Sequence, residues 1–286
     1  MSAEMPADYI DVLFAGIKAN EADKYRQHNL VLLPDKGDVV VSGDIHGHRR
    51  NFERVVSYAN LEKNPDRHLI FQEIIHGGPE DEMGGCLSFD LLVDAIKLKL
   101  KFADRVHFIL ANHDTAFITN SEVMKNGKEM NAAMRLAMKL RFGDKTKDFE
   151  SAFERFLFSQ PLAVKCANGI WISHSLPSDK MIDKFDFTIF DRQLKIIDIV
   201  RPNSAYLLTW GRRQSKETIR LFAEKLGVDF FVLGHQVQES GWMSDNEKLI
   251  IIDSQHNHGY LLHADLSVRY NIKTLADCLM PIASIE

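Results

Sequence analysis

SGDIHGH, residues 42–48, sets an Asp and a His two apart, flanked by glycines, directly after an apolar run. The run, Asp38-Val39-Val40-Val41, is short and β-branched and reads as a buried strand that Gly43 ends. Asp44 and His46 are then displayed on the loop leaving the strand, which in open α/β sheets is where ligands and metals bind. The plain alternative is a turn with a capping Asp and an exposed His. The rest of the chain decides between the two, by supplying partners or failing to.

It supplies them. "LIFQEIIHGG" (69–78), "RVHFILANHD" (105–114), "GIWISHS" (169–175) and "VDFFVLGHQ" (228–236) each run from an apolar strand into oxygen or nitrogen donors. The donors are Glu73 with His76, Asn112 with His113, His174, and His235. Polar groups at buried strand ends must be satisfied or they destabilise the fold, and one shared metal centre would satisfy all of them. The set contains no Cys, which argues against a structural zinc knot. Mixed carboxylate, amide and imidazole donors suit Mn²⁺, Fe or Zn²⁺.

Between these strands the apolar spacing predicts helices over 7–27, 49–61, 87–101 and 215–226. Residues 121–160 are rich in Met, Phe, Lys and Arg without a strand signal, and read as a helical insertion whose Met and Phe belong to the core. Asn168-Gly169 predicts the turn of a hairpin over 161–175, and 248–266 holds two more strands around a polar loop. Helices alternate with strands early, and antiparallel pairs come late. The expected fold is α/β, a mixed β-sheet sandwich flanked by helices, built as a single domain over 1–286.

The chain has 286 residues, 45% hydrophobic and 26% charged, enough for a large core. A net charge of −5 gives no reason to expect nucleic-acid or anionic-membrane partners. Cys86, Cys166 and Cys278 lack metal-ligand spacing and suit a reducing compartment. With no leader-like N-terminus and no apolar stretch of about 18 residues, the expected location is cytoplasmic.

Gly43-Asp44-Ile45-His46-Gly47 and Ala111-Asn112-His113-Asp114 resemble the first and third motif blocks of the calcineurin-like metallophosphoesterases, GDxHG and GNHD, most like the phosphoprotein (serine/threonine) phosphatase branch. His174 and His235 fit that family's later histidines, and the resemblance spans about 38–262. It implies a fold of the same name and two divalent or trivalent ions, Mn and/or Fe first, with Zn also fitting. Asp44, His46 and His235 would hold one ion, Asn112 and His174 the other, with Glu73 bridging. His113 would be the general acid, with Asp114 and His76 in the same catalytic group. A hydroxide shared by the ions would attack phosphorus in line.

The second block departs from the family's GDxxDRG. Glu73 stands for the bridging Asp, His76 for the Asp that orients the acid, and Gly77 for the phosphate-gripping Arg. Arg212 and Arg213, between the late histidines, are candidate replacements, because guanidinium forks bind phosphate bidentately. His48 and His256 are candidates to border the substrate. The implied activity is hydrolysis of phosphomonoesters, with phosphoprotein as one substrate form. Two alternatives stand beside it: a nucleotide or dinucleotide polyphosphate hydrolase, and a metal-binding scaffold without turnover. The oligomeric state is not readable.

Overall fold

The computed structural model describes residues 6–125 and 127–286. Two mixed sheets lie face to face, with helices on both outer sides. The first sheet runs in the order Leu279–Pro281, Tyr260–Asp265, Asp38–Asp44, Arg67–Gln72, Val106–Ile109. Its last three strands are parallel, and Tyr260–Asp265 is antiparallel to Asp38–Asp44. The second sheet runs Arg26–Gln27, Leu30–Leu33, Ala163–Cys166, Ile170–Ser173, Phe230–Leu233, Leu249–Ile252, Trp242–Ser244. Ile170–Ser173, Phe230–Leu233 and Leu249–Ile252 are parallel neighbours.

Period-two alternation explains why the opening strand is apolar throughout. Val39 and Val41 point between the sheets, onto Val164, Ile172, Val232 and Ile250. Val40 points the other way, with Leu69, Phe71 and Phe108, into the helical layer. A strand buried on both faces needs apolar residues at both parities. On the far side of the second sheet, Trp171, Phe231 and Leu233 pack under helices Ser204–Trp210 and Lys216–Leu226.

The 121–160 segment carries helices Met130–Phe142 and Thr146–Phe158. Met130, Met134, Met138, Phe149, Phe153 and Phe156 are buried in the first sheet's helical layer, as expected of core residues. The segment also holds strands where none was expected. Met124–Lys125 pairs antiparallel with Lys128–Glu129, and Gly127, at φ +78°, turns the hairpin.

Other boundaries moved for identifiable reasons. The N-terminal helix is Pro6–Glu21, six residues shorter at its C-terminal end than the apolar spacing predicts. Just beyond it the Asp23 carboxylate accepts the Tyr25 N–H, a local turn that competes with helix. Asn112, His113 and Asp114 sit in the first turn of helix Asn112–Ile118, not on a loop. Leu249–Ile252 and Tyr260–Asp265 belong to different sheets, so the loop between them crosses the sandwich. An isolated parallel bridge from Asp44 to Asp253 joins the sheets at that edge.

Candidate metal centre

The strands that end at this edge carry Asp44, Glu73, Asn112, His174 and His235 into one buried cup, with His46 on the turn after Asp44. Glu73 is its centre. One carboxylate oxygen lies 3.3 Å from His46 Nε2 and 3.5 Å from His174 Nε2. The other accepts the His113 N–H at 3.1 Å and stands 3.9 Å from His113 Nδ1. Two ligand groups result, His46–Glu73–His113 and Asp44–Glu73–His174, each with its donor atoms within 4.8 Å of one another. Glu73 belongs to both.

Asn112 Oδ1 lies 2.8 Å from His174 Nε2 and 2.9 Å from His235 Nδ1. The His235 ring therefore sits with Asn112 and His174, whereas the family resemblance places it with Asp44 and His46. What reaches Asp44 is the His235 backbone N–H, 3.0 Å from both carboxylate oxygens. Gly234 permits that approach, since a Cβ there would come within 2.3 Å of Asp44 Oδ1. His46 Nδ1 is 3.1 Å from the Ile75 carbonyl, which can only accept. That fixes the tautomer and leaves Nε2 free for a ligand bond.

Among the described residues, the buried atoms His174 Nδ1, His235 Nε2, His113 Nδ1, both ring nitrogens of His76, and Gln72 Oε1 find no hydrogen-bond partner. Buried polar atoms are rarely left so. Unpaired imidazole nitrogens facing carboxylates and an amide oxygen are the donor set that divalent ions take, so the residues fit a metal centre. Backbone strain gathers in the same place. His46, Glu73, His76 and His235 all have positive φ, between +41° and +66°, a region costly for residues with side chains and concentrated at functional sites.

Charge in the cup is finely divided. Burial alone would raise Glu73, but His113, His174 and His46 hold it well below the usual carboxylate range. Burial and the Glu73 charge push Asp44 well above it. Burial lowers His174 to about 4 and His113 to about 3, Glu73 opposing in both cases. His76 is fully buried, with its ring centroid 4.9 Å from that of His113. Burial, then the charges of His113 and His46, keep it neutral.

The remaining candidates lie around the rim or behind the cup. Asp114 accepts the Ala111 N–H at 2.9 Å and the Gln160 amide at 3.1 Å, fastening the turn that presents Asn112 and His113. Burial pushes it up to about 8. Arg212 and Arg213 are both exposed. Burial does most to lower His174 and His235, and Arg212 is the arginine whose charge adds to it, while the Arg213 N–H donates to Gln236. His48 caps helix Arg49–Ala59 through Nδ1 and lines a cavity of 410 Å³ with His46, Gly77, Gly78, Lys125 and Gln255. His256 is tied through Nε2 to the Gln238 carbonyl at 2.9 Å. Sequence reasoning passed over Lys125, Gln255 and Trp210, whose indole packs edge-on to His235. The 126–127 Asn-Gly pair, a hairpin signal, could have drawn attention to Lys125.

A buried carboxylate–imidazole cup at the strand ends of a two-sheet α/β sandwich defines a metal-dependent hydrolase. The family model of calcineurin-like phosphoesterases matches residues 37–239, and the chain belongs to that family, so it is a metal-dependent phosphatase. Solved structures that share the fold include two phosphatases. A protein serine/threonine phosphatase from Saccharomyces cerevisiae, with similarity to human phosphatase PP5, superposes at TM-score 0.68 with 16% identity, covering 91% of this chain and 82% of that one. A cold-active protein-tyrosine phosphatase of a psychrophilic Shewanella species superposes at TM-score 0.61 with 16% identity, covering 84% and 79%. No curated protein matches the sequence. Among the described residues, no helix is long and apolar enough to cross a membrane.

Proposed function

We propose that the protein hydrolyses phosphomonoesters at a two-metal centre bridged by Glu73. The observation that carries this reading is the double membership of Glu73, one carboxylate shared by two ligand groups. His46 with Glu73 would serve one ion, and Asp44 and His174 with Glu73 the other, where Asn112 and His235 add donors. The donor set favours Mn or Fe, with Zn also compatible. Bound there, the ions polarise phosphoryl oxygens and acidify the attacking water.

The chain's own residues do the rest. The His113 ring, 3.9 Å from Glu73 and held neutral by burial, would take up a proton when the negative phosphoryl group binds and give it to the leaving oxygen. The buried His76 ring lies against it and helps keep water from that side. Arg212, at the Asn112–His174–His235 side, takes phosphoryl oxygens, with His48 and His256 at the border. The two structural neighbours act, by their names, on phosphoserine/threonine and phosphotyrosine, which supports a phosphoprotein substrate over a polyphosphate.

Metal stoichiometry after Mn²⁺ loading and desalting, on wild type beside Glu73→Ala, tests the bridge. About two ions in wild type and fewer in the variant are expected. One ion or none in wild type would overturn the two-metal reading.

A further inference from the structure

We propose that Lys125 is the phosphoryl-gripping cation beside His113, standing in for a guanidinium that position 77 cannot carry. The proposal rests on the phosphatase reading above and deepens it. Gly77 has φ +144°, and a Cβ there would lie 2.5 Å from the His46 carbonyl oxygen. Its own carbonyl is equally crowded, 2.3 Å from where a Gly47 Cβ would be. The backbone at 47 and 77 is packed so closely that position 77 has no room for a side chain. The missing arginine is thus excluded by conformation, and its replacement must arrive from another element.

The hairpin of Met124–Lys125 and Lys128–Glu129 delivers one. Lys125 lines the same 410 Å³ cavity as His46, His48, Gly77 and Gly78. Burial lowers its pKa, the Glu73, Asp44 and Asp253 charges oppose that, and its own charge bears on His113 and His76. Lys125 Nζ donates to Gln255 Oε1 at 3.0 Å. Gln255 is itself held by Asp253, through Nε2 at 3.2 Å and its backbone N–H at 3.0 Å. Among the described residues, no carboxylate lies within ion-pair distance of Lys125. Its hairpin partner Lys128 is already matched, to Glu80 at 2.8 Å. A partly buried ammonium whose one hydrogen-bond acceptor is neutral has donors to spare and no carboxylate in direct contact. A phosphoryl group over the metal cup supplies an anion, and Lys binds phosphate well as a point charge.

The test titrates inorganic phosphate calorimetrically into the Mn²⁺-loaded full chain. Wild type, Lys125→Met, Lys125→Arg and the exposed control Lys139→Met are compared, with metal content and thermal unfolding measured on each. Lys125→Met is expected to bind phosphate about 10- to 100-fold more weakly, the worth of one charge-assisted hydrogen bond, with metal content and Tm unchanged. Lys125→Arg is expected to recover most of that loss, and Lys139→Met to match wild type. Phosphate bound equally by wild type and Lys125→Met would overturn the proposal, leave the phosphatase reading intact, and make Lys125 a tether for its hairpin. A wild type that takes up neither metal nor phosphate would overturn both.

Discussion

His113 stands where two roles compete. Its ring nitrogen is close enough to Glu73 to complete a ligand group with His46, yet it also occupies the position of the family's acid. Replacing it with Ala separates the roles. Turnover is expected to fall by about 10²- to 10⁴-fold, the usual worth of a positioned acid, while Mn²⁺ content stays at the wild-type level. A variant that loses an ion would make His113 a ligand instead. The candidate donors were legible because donors following apolar runs are facts of the sequence. Their grouping was not. The His235 ring turns to Asn112 and His174 because its backbone holds φ +65° while its N–H is anchored on Asp44. No spacing rule reports such a turn. Nor does any spacing rule separate Arg212 from Arg213; they differ in that only the Arg212 charge bears on His174 and His235.

Among elements, the loops after Asp38–Asp44 and Arg67–Gln72 interlock. The Ile45 and His46 N–H groups donate to the Glu73 carbonyl at 3.1 and 2.9 Å, and the Gly47 N–H donates to the Ile74 carbonyl at 2.7 Å. The ligand-bearing turns are therefore one unit, and Gly77→Ala should disturb both. The strain of such a position costs about 1–3 kcal/mol, expected as a Tm lower by about 2–4 °C per kcal/mol, together with reduced Mn²⁺ uptake. An unchanged Tm would mean that the loop relaxes freely and that conformation does not explain the absent arginine. The buried strands around these loops were readable from their apolar runs. Leu30–Leu33 was missed because four residues carry too little pattern to separate strand from helix. The assignment of Leu249–Ile252 and Tyr260–Asp265 to different sheets lies outside any local signal, since each reads as a strand whichever partner it finds.

Over the whole molecule, a second buried polar network ties the layers together away from the cup. Lys99, on helix Ser88–Phe102, reaches Asp23 at 3.4 Å and the Val106 carbonyl at 2.8 Å. His107 Nδ1 lies 3.0 Å from Asp23, and His107 Nε2 lies 3.1 Å from His68 Nδ1. Burial, then the neighbouring His107 charge, lowers His68 from 6.5 to about 3. Burial alone would raise Asp23, but His107 and Lys99 hold it at about 2 against an ordinary 3.8. The two groups act in different pH windows. Asp23 contributes stability above 3.8 that is lost only as pH falls through about 2. His68 is neutral in the folded protein, so its contribution is complete above 6.5 and declines as the unfolded chain takes up the proton, down to about 3. Between pH 6.5 and 5 one such histidine costs about 1.4 kcal/mol per pH unit, on the order of 2 kcal/mol in all. The cup histidines press in the same direction in chelator-treated protein, so the comparison must be internal. Denaturant unfolding of wild type and His68→Gln across that range isolates the network. The variant is expected to be less stable at pH 7 yet to lose stability more gently on acidification, by about 1.4 kcal/mol per pH unit. Parallel curves would show that His68 takes up its proton as easily folded as unfolded, and that the network is not held neutral by burial.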